Sequence, residues 1–225
     1  MRGCPMDSEV RARGLARFLQ RVGRLKRVPR TGWLDRGVPA EEAESVADHT
    51  FRVALLAWLA AAAEPGLDRD RVLKLALIHD LAEAVTGDLP PYDPAVLADA
   101  ADADRATILN RRHVRSEARA AAKRAAEAAA MADLLEDLPE GLAGELGELW
   151  RELEEGTSAE ARFVKQSDKL ETYLQSREYL ADDPARPMDS FAVEVAEVID
   201  APSLVELREA VSGLIQERDN PSDGS

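Results

Sequence analysis

The stretch LALIHDLAEAVTGD, residues 75–88, decides how this chain is read. Val72, Leu75, Ala76, His79, Ala82 and Glu83 fall at i, i+3, i+4, i+7, i+10 and i+11, the spacing of one face of an α-helix. The apolar members mark that face as inward. It then also carries an imidazole and a carboxylate, with Asp80 beside them. Ionisable groups cost free energy to bury unless something pairs with them. The stretch predicts a core helix, opened by Asp68 or Asp70 and ended by Gly87, that brings chemistry into the interior.

The same period recurs along the chain. Over 44–63, Val46, His49, Val53, Leu56 and Ala57 share a face, which turns His49 inward, and Pro65-Gly66 stops that helix. In a helix capped by Thr157 or Ser158, Val164, Ser167, Asp168, Glu171 and Leu174 share a face. Further helices are predicted from Asp7 or Ser8 to about Arg27, over 140–155 with Gly156 closing it, and over 188–199 and 202–218. Residues 95–136 read as a long Ala/Arg/Glu-rich helical region broken at most once. Residues 28–45 read as a Pro/Gly-punctuated loop, and GDLPPYDP (87–94) cannot continue a helix. No stretch alternates as a strand does. The expectation is an all-α helical bundle, one domain over 1–218, with a disordered polar tail at 219–225.

Hydrophobic residues make up 45% and charged residues 32%, the balance of a soluble globular protein. A net charge of −14 argues against binding a nucleic-acid polymer or an anionic membrane surface. Residues 1–37 are the exception, with ten basic side chains against three acidic ones. They offer either a site for a small anion such as phosphate or a solvated helix face. Cys4 is the only cysteine, so no intramolecular disulfide can form. Residues 53–63 are apolar but too short to span a bilayer, and a cytoplasmic location is expected.

Two of the three histidines, His49 and His79, lie on inward faces, whereas His113 in NRRHVRSEAR reads as solvated surface. A lone inward histidine is more often a hydrogen-bonded core residue than a ligand. Together with Asp80 and Asp168, though, the pair supplies four donors from separate helical segments to one divalent cation. Imidazole with carboxylate suits Mn, Fe, Co, Ni or Zn better than Ca or Mg. A bound cation would offset the burial of the carboxylates.

The order His49, His79-Asp80, Asp168 resembles the HD-domain metal-dependent phosphohydrolases. The blocks RVPRTGW (27–33), ESVADHTFRVA (44–54), LALIHDLAEAVTGDLPP (75–91) and GELWRELEEGTSAEARFVKQSDKLETYLQSREY (147–179) narrow the resemblance to the 5′-deoxynucleotidase family, nearer its human than its enterobacterial member. The likeness covers about residues 15–180. It implies an HD-domain bundle in which His49, His79, Asp80 and Asp168 hold one divalent cation, Co2+ or Mn2+ ahead of Mg2+, Fe2+ or Zn2+. It also implies Glu83 as catalytic carboxylate and Asp88 near the substrate. The family's Arg-Trp pair that contacts the nucleotide corresponds to Arg30 and Trp33, here separated by Thr31 and Gly32. A homodimer is expected by the same resemblance.

A deoxynucleoside 5′-monophosphate is the expected substrate, hydrolysed by water activated at the metal, with Glu83 handling the proton. Glu83 has a second reading as a partner that fixes a histidine tautomer. Arg30 suits a bidentate phosphate clamp, and Lys165, three residues before Asp168, is a lesser candidate for the same anion. Trp33 either walls the sugar or base pocket or packs in the core. Pro90 and Pro91 stiffen the chain beside Asp88. Three histidines are too few for a two-metal phosphodiesterase. Hydrolysis of another nucleotide or small phosphate ester, triphosphates included, and a non-catalytic helical binding protein are the alternatives.

Overall fold

The helix signals written most strongly in the sequence are the ones the chain obeys. The structure, a computed structural model, describes residues 5–219. In chain order the helices are α1 (Pro5–Val22), α2 (Thr31–Leu34), α3 (Val46–Ala60), α4 (Arg69–Ile78), α5 (Glu83–Thr86) and α6 (Pro94–Ala98). Then come α7 (Asp102–Leu109), α8 (Glu117–Leu135), α9 (Glu140–Glu155), α10 (Ala159–Asp182), α11 (Asp189–Val198) and α12 (Pro202–Asp219). Apart from an isolated bridge between Pro29 and Ser45, no β structure occurs among the described residues. The all-α expectation holds.

Local chemistry explains the boundaries. Ser45 and Asp48 form a reciprocal capping box at the start of α3. Asp68 accepts from the amides of Asp70 and Arg71 to open α4, and Ser158 accepts from the Ala161 amide to open α10. Gly156, at φ 63°, closes α9 in the left-handed region where a side chain would be strained.

Helices α3, α4 and α10 pack on one another at the centre. Their facing stripes (Val46, Val53 and Ala57; Val72, Leu75 and Ala76; Val164 and Leu170) are fully buried. Helices α11 and α12 cover α10, while α8 and α9 pair and meet α5 and α4. Arg17 and Arg21 of α1 pair with Asp137 at 2.9 and 3.1 Å, so part of the basic N-terminal segment serves to fasten α1 across the α8–α9 turn. Residues 46–63 reach the length and mean hydropathy, 1.2, of a membrane span. Their inner stripe is nevertheless packed against α4 and α10.

Four expectations need correction. The core helix does not run to Gly87: it ends at Ile78, and residues 79–82 form a tighter turn before α5. There the ladder passes to i→i+3 bonds, Leu81 N to Ile78 O at 3.1 Å and Glu83 N to Asp80 O at 3.0 Å. The region 95–136 breaks twice, at 99–101 and 110–116, giving α6, α7 and α8. Segment 28–45 contains the short α2. Finally, α12 reaches Asp219, and the remainder of the expected tail, like Cys4, lies outside the described residues.

Candidate metal centre

Each donor arrives by a different route. His49 stands on the inner stripe of α3 with its side chain fully buried. His79 follows the last residue of α4, and its Nδ1 lies 2.7 Å from the Ala76 carbonyl. A carbonyl only accepts, so Nδ1 carries the proton and Nε2 keeps its lone pair. Asp80 and Glu83 stand three positions apart, at i and i+3 across the tight turn, and both face the same cavity. Asp168 comes from the middle of α10.

The donors converge. One ligand atom each from His49, His79 and Asp168 lies within 4.8 Å of the others. His49 Nε2 is 3.0 Å from Asp168 Oδ1 and 3.8 Å from Asp80 Oδ2, and His79 Nε2 is 3.1 Å from Asp80 Oδ2. The rings of His49 and His79 are 5.3 Å apart at 61°. His79 Nε2 is buried and, although Asp80 approaches it, makes no hydrogen bond of good geometry. An orphaned imidazole nitrogen among carboxylates is costly unless something else takes its lone pair, and the donor set suits a divalent cation.

The field at the centre follows from what is packed there. Burial alone would raise the Asp80 and Asp168 carboxyls. The neighbouring groups prevail, His79, His49 and Arg30 around Asp80, and Lys169 and the two imidazoles around Asp168, so both are held below the ordinary range. Glu83 goes the other way. It is 6% exposed, Oε2 has no partner, and burial, reinforced by Asp80 and Asp88, pushes its carboxyl well above the usual value. Burial and Arg30 oppose protonation of His49, but Asp168 and Glu171 outweigh them and bring it up to about 9.

A cavity of about 590 Å³ opens over this cluster. Arg30 lines it, with Nη1 3.6 Å from Asp80 Oδ2 and Nη2 3.4 Å from Thr172 Oγ1. It is placed by backbone pairing: its amide reaches Glu44 O at 3.0 Å, and Val46 N reaches Val28 O at 2.8 Å, which docks segment 28–30 beside the start of α3. Asp88 reaches the cavity after the positive-φ Gly87, and its carboxylate accepts from the Thr31 amide at 2.5 Å, tying the GDLPP loop to α2. Trp33 is 1% exposed, packs on Tyr179 and Phe191, and gives its Nε1–H to Glu44 at 2.8 Å. It contributes to the cavity wall from a core position. Lys165 is exposed at the cavity rim, with Nζ bonded to the Glu154 carbonyl at 2.9 Å.

Several neighbours were not singled out from the sequence. Lys169 lines the cavity with Nζ 3.2 Å from Asp168 Oδ2, nearer the cluster than Lys165. Glu171, fully buried, contacts His49 Nδ1 and accepts from Arg52 Nε at 2.7 Å. Its inward position was legible, since it shares a stripe with Asp168; its partner on another helix was not. Arg111, Arg112, Arg115, Lys123 and Arg124 also line the cavity, two of them paired with Glu197 and Glu127. His113 is half-buried rather than solvated, with Nε2 2.8 Å from the Ile108 carbonyl and its ring 5.2 Å from that of Tyr92.

An all-α bundle with a His, His-Asp, Asp cluster at the junction of its central helices defines a class, the metal-dependent HD proteins. The chain belongs to the HD-domain family, whose pattern matches residues 22–201. It is 40% identical to human 5′-deoxynucleotidase HDDC2 over 209 residues, 92% of this chain and 87% of that protein. It is 34% identical to 5′-deoxynucleotidase hdd1 of Schizosaccharomyces pombe over 162 residues, 72% of this chain and 70% of that one. Among solved structures, a protein of Pyrococcus horikoshii matches with a TM-score of 0.64 at 28% identity, covering 88% of this chain and 99% of that one. A conserved hypothetical protein of Pyrococcus furiosus matches with a TM-score of 0.62 at 30% identity, with the same coverage.

Proposed function

We propose that this protein is a metal-dependent 5′-deoxynucleotidase, removing phosphate from deoxynucleoside 5′-monophosphates. The observation that carries the reading is the convergence of His49, His79 and Asp168, with Asp80 against both imidazoles, beneath a cavity of about 590 Å³ that Asp80 and Asp168 line. The 5′-deoxynucleotidases similar to it over most of its length support the choice of substrate.

His49, His79, Asp80 and Asp168 would hold the cation, which when bound supplies an activated water and polarises the phosphate. Arg30 and Lys169 face the cavity as fixed positive charges for the phosphate oxygens. Attack by the water oxygen breaks the bond between phosphorus and the 5′ oxygen, and that oxygen needs a proton as it leaves. Glu83 holds its proton more tightly than a free carboxyl does, which suits delivering it there. Asp88 and Thr31 keep the loop at the cavity edge in place.

Co2+ or Mn2+ remains the favoured ion, with Mg2+, Fe2+ or Zn2+ as alternatives. A single HD domain over 1–218, a cytoplasmic location and a homodimer belong to the same proposal. Phe51, Leu55 and Leu59 form an exposed apolar stripe on α3 that suits a self-complementary contact. The deciding experiment is phosphate release from deoxynucleoside and ribonucleoside mono- and triphosphates, with each cation added to metal-free protein. Monophosphate hydrolysis that prefers deoxyribose and needs a divalent ion is expected. Pyrophosphate or triphosphate release, or indifference to the sugar, would defeat it.

A further inference from the structure

The carboxylate of Glu171 is fully buried in the middle of α10, one turn beyond Asp168. Burying a carboxylate there is unfavourable unless its lone pairs are engaged, and both oxygens are. Oε1 accepts from Arg52 Nε at 2.7 Å, and Oε2 contacts His49 Nδ1. Arg52 is itself held from the outside, by Glu178 at 2.9 Å and Gln175 at 2.5 Å, both also on α10. The opposite ring nitrogen, His49 Nε2, points to Asp168 and Asp80. The chain thus runs in one line from the surface through Arg52 and Glu171 to the imidazole and on to the cluster.

A second set of donors, Glu44, His49 and Glu171, lies close together on the Nδ1 side of the ring. Those groups are already engaged. Glu44 Oε1 accepts from Trp33 Nε1 at 2.8 Å, and Nδ1 is taken by Glu171. That leaves Nε2 as the nitrogen available to a cation. An imidazole that coordinates through Nε2 must carry its proton on Nδ1, and an acceptor placed there fixes both tautomer and ring orientation.

We propose that Glu171, clamped by Arg52, is the positioning residue of the metal centre, holding His49 with Nε2 turned toward Asp168 and His79. The inference rests on the metal-site reading above and asks which residue outside the ligand set makes that site tight. Glu171→Gln keeps the size of the side chain but loses the charge that matches the Nδ1–H and Arg52.

The test is Co2+ binding to chelator-stripped protein, followed by calorimetry and by the visible absorption of the bound ion. The kcat and KM for a deoxynucleoside monophosphate are then measured at limiting and saturating Co2+. Glu171→Gln is expected to bind Co2+ roughly ten- to a hundredfold more weakly, with an altered absorption band. Its kcat should recover toward wild type when the ion is saturating, and its KM should change little. Arg52→Met, which leaves Glu171 in place at a partly exposed position, should show a smaller loss in the same direction, and it decides the matter should Glu171→Gln fail to fold. Unchanged Co2+ affinity in the folded variants overturns the proposal while leaving the nucleotidase reading intact. Wild-type protein that binds no Co2+ overturns both. Weakened Co2+ binding without hydrolysis of any nucleotide by wild type supports the positioning role and defeats the assigned activity.

Discussion

At Glu83 one carboxylate oxygen has no partner, two further carboxylates stand nearby, and the group holds its proton well above the ordinary range. A carboxylate kept for stability would have its lone pairs engaged, as those of Glu171 are. Glu83→Gln should therefore retain the bound ion, measured by metal analysis, while kcat falls by about 10²–10⁴-fold, the usual contribution of a positioned proton carrier. Asp80→Ala should lose both ion and turnover. Equal turnover of Glu83→Gln and wild type would remove Glu83 from the chemistry. Spacing made the inward carboxylate legible, but its proton affinity depends on burial and on Asp80 and Asp88, the first placed by the turn at 79–82 and the second by Gly87 and the Thr31 amide.

At the scale of elements, the two glycines Gly14 and Gly144 look alike in sequence, since each interrupts a helix. Glycine in a helix interior ordinarily costs about 0.5–1 kcal/mol relative to alanine. Around Gly144 in α9 there is open space, so Gly144→Ala should raise the melting temperature. In α1 the backbone at Gly14 closes on the turn between α8 and α9, where a Cβ would collide with the Asp137 carbonyl. Gly14→Ala should lower the melting temperature despite the better propensity, and calorimetry of the two variants reads the opposite signs directly. The helix ends at Asp68, Ser158 and Gly156 were legible because capping is local chemistry, whereas the capping box at Ser45 emerged only from the structure. The end of α4 at Ile78 was not, because apolar spacing continues through Ala82 and only hydrogen bonding betrays the change of pitch.

At the scale of the whole molecule, the candidate metal centre joins α3, the α4–α5 turn and α10, elements up to about 120 residues apart in sequence, as the His49–Asp168 contact shows. An ion that binds only the assembled site stabilises the fold by mass action, about 2.7 kcal/mol at a hundredfold excess over its dissociation constant. For a chain of this size that corresponds to a rise of roughly 5–10 °C in melting temperature. Chelator treatment should lower the melting temperature by a shift of that order, and adding Co2+ or Mn2+ back should restore it. A melting curve indifferent to both would mean that the cluster does not hold an ion between these helices.

The residues by themselves determined the helical class, the ends of α9, α11 and α12, the starts of α4 and α10, and the inward stripes carrying His49, His79, Asp168 and Glu83, because these depend on periodicity and on caps within a few positions. Only the tertiary structure decided which inward groups meet. It turned Asp80 and Glu83 to one side by tightening a single turn, committed Trp33 largely to the core and Lys165 to a carbonyl, and set Glu171 behind His49. Contacts between α3 and α10 depend on packing across more than a hundred residues of chain, and no local pattern carries that information.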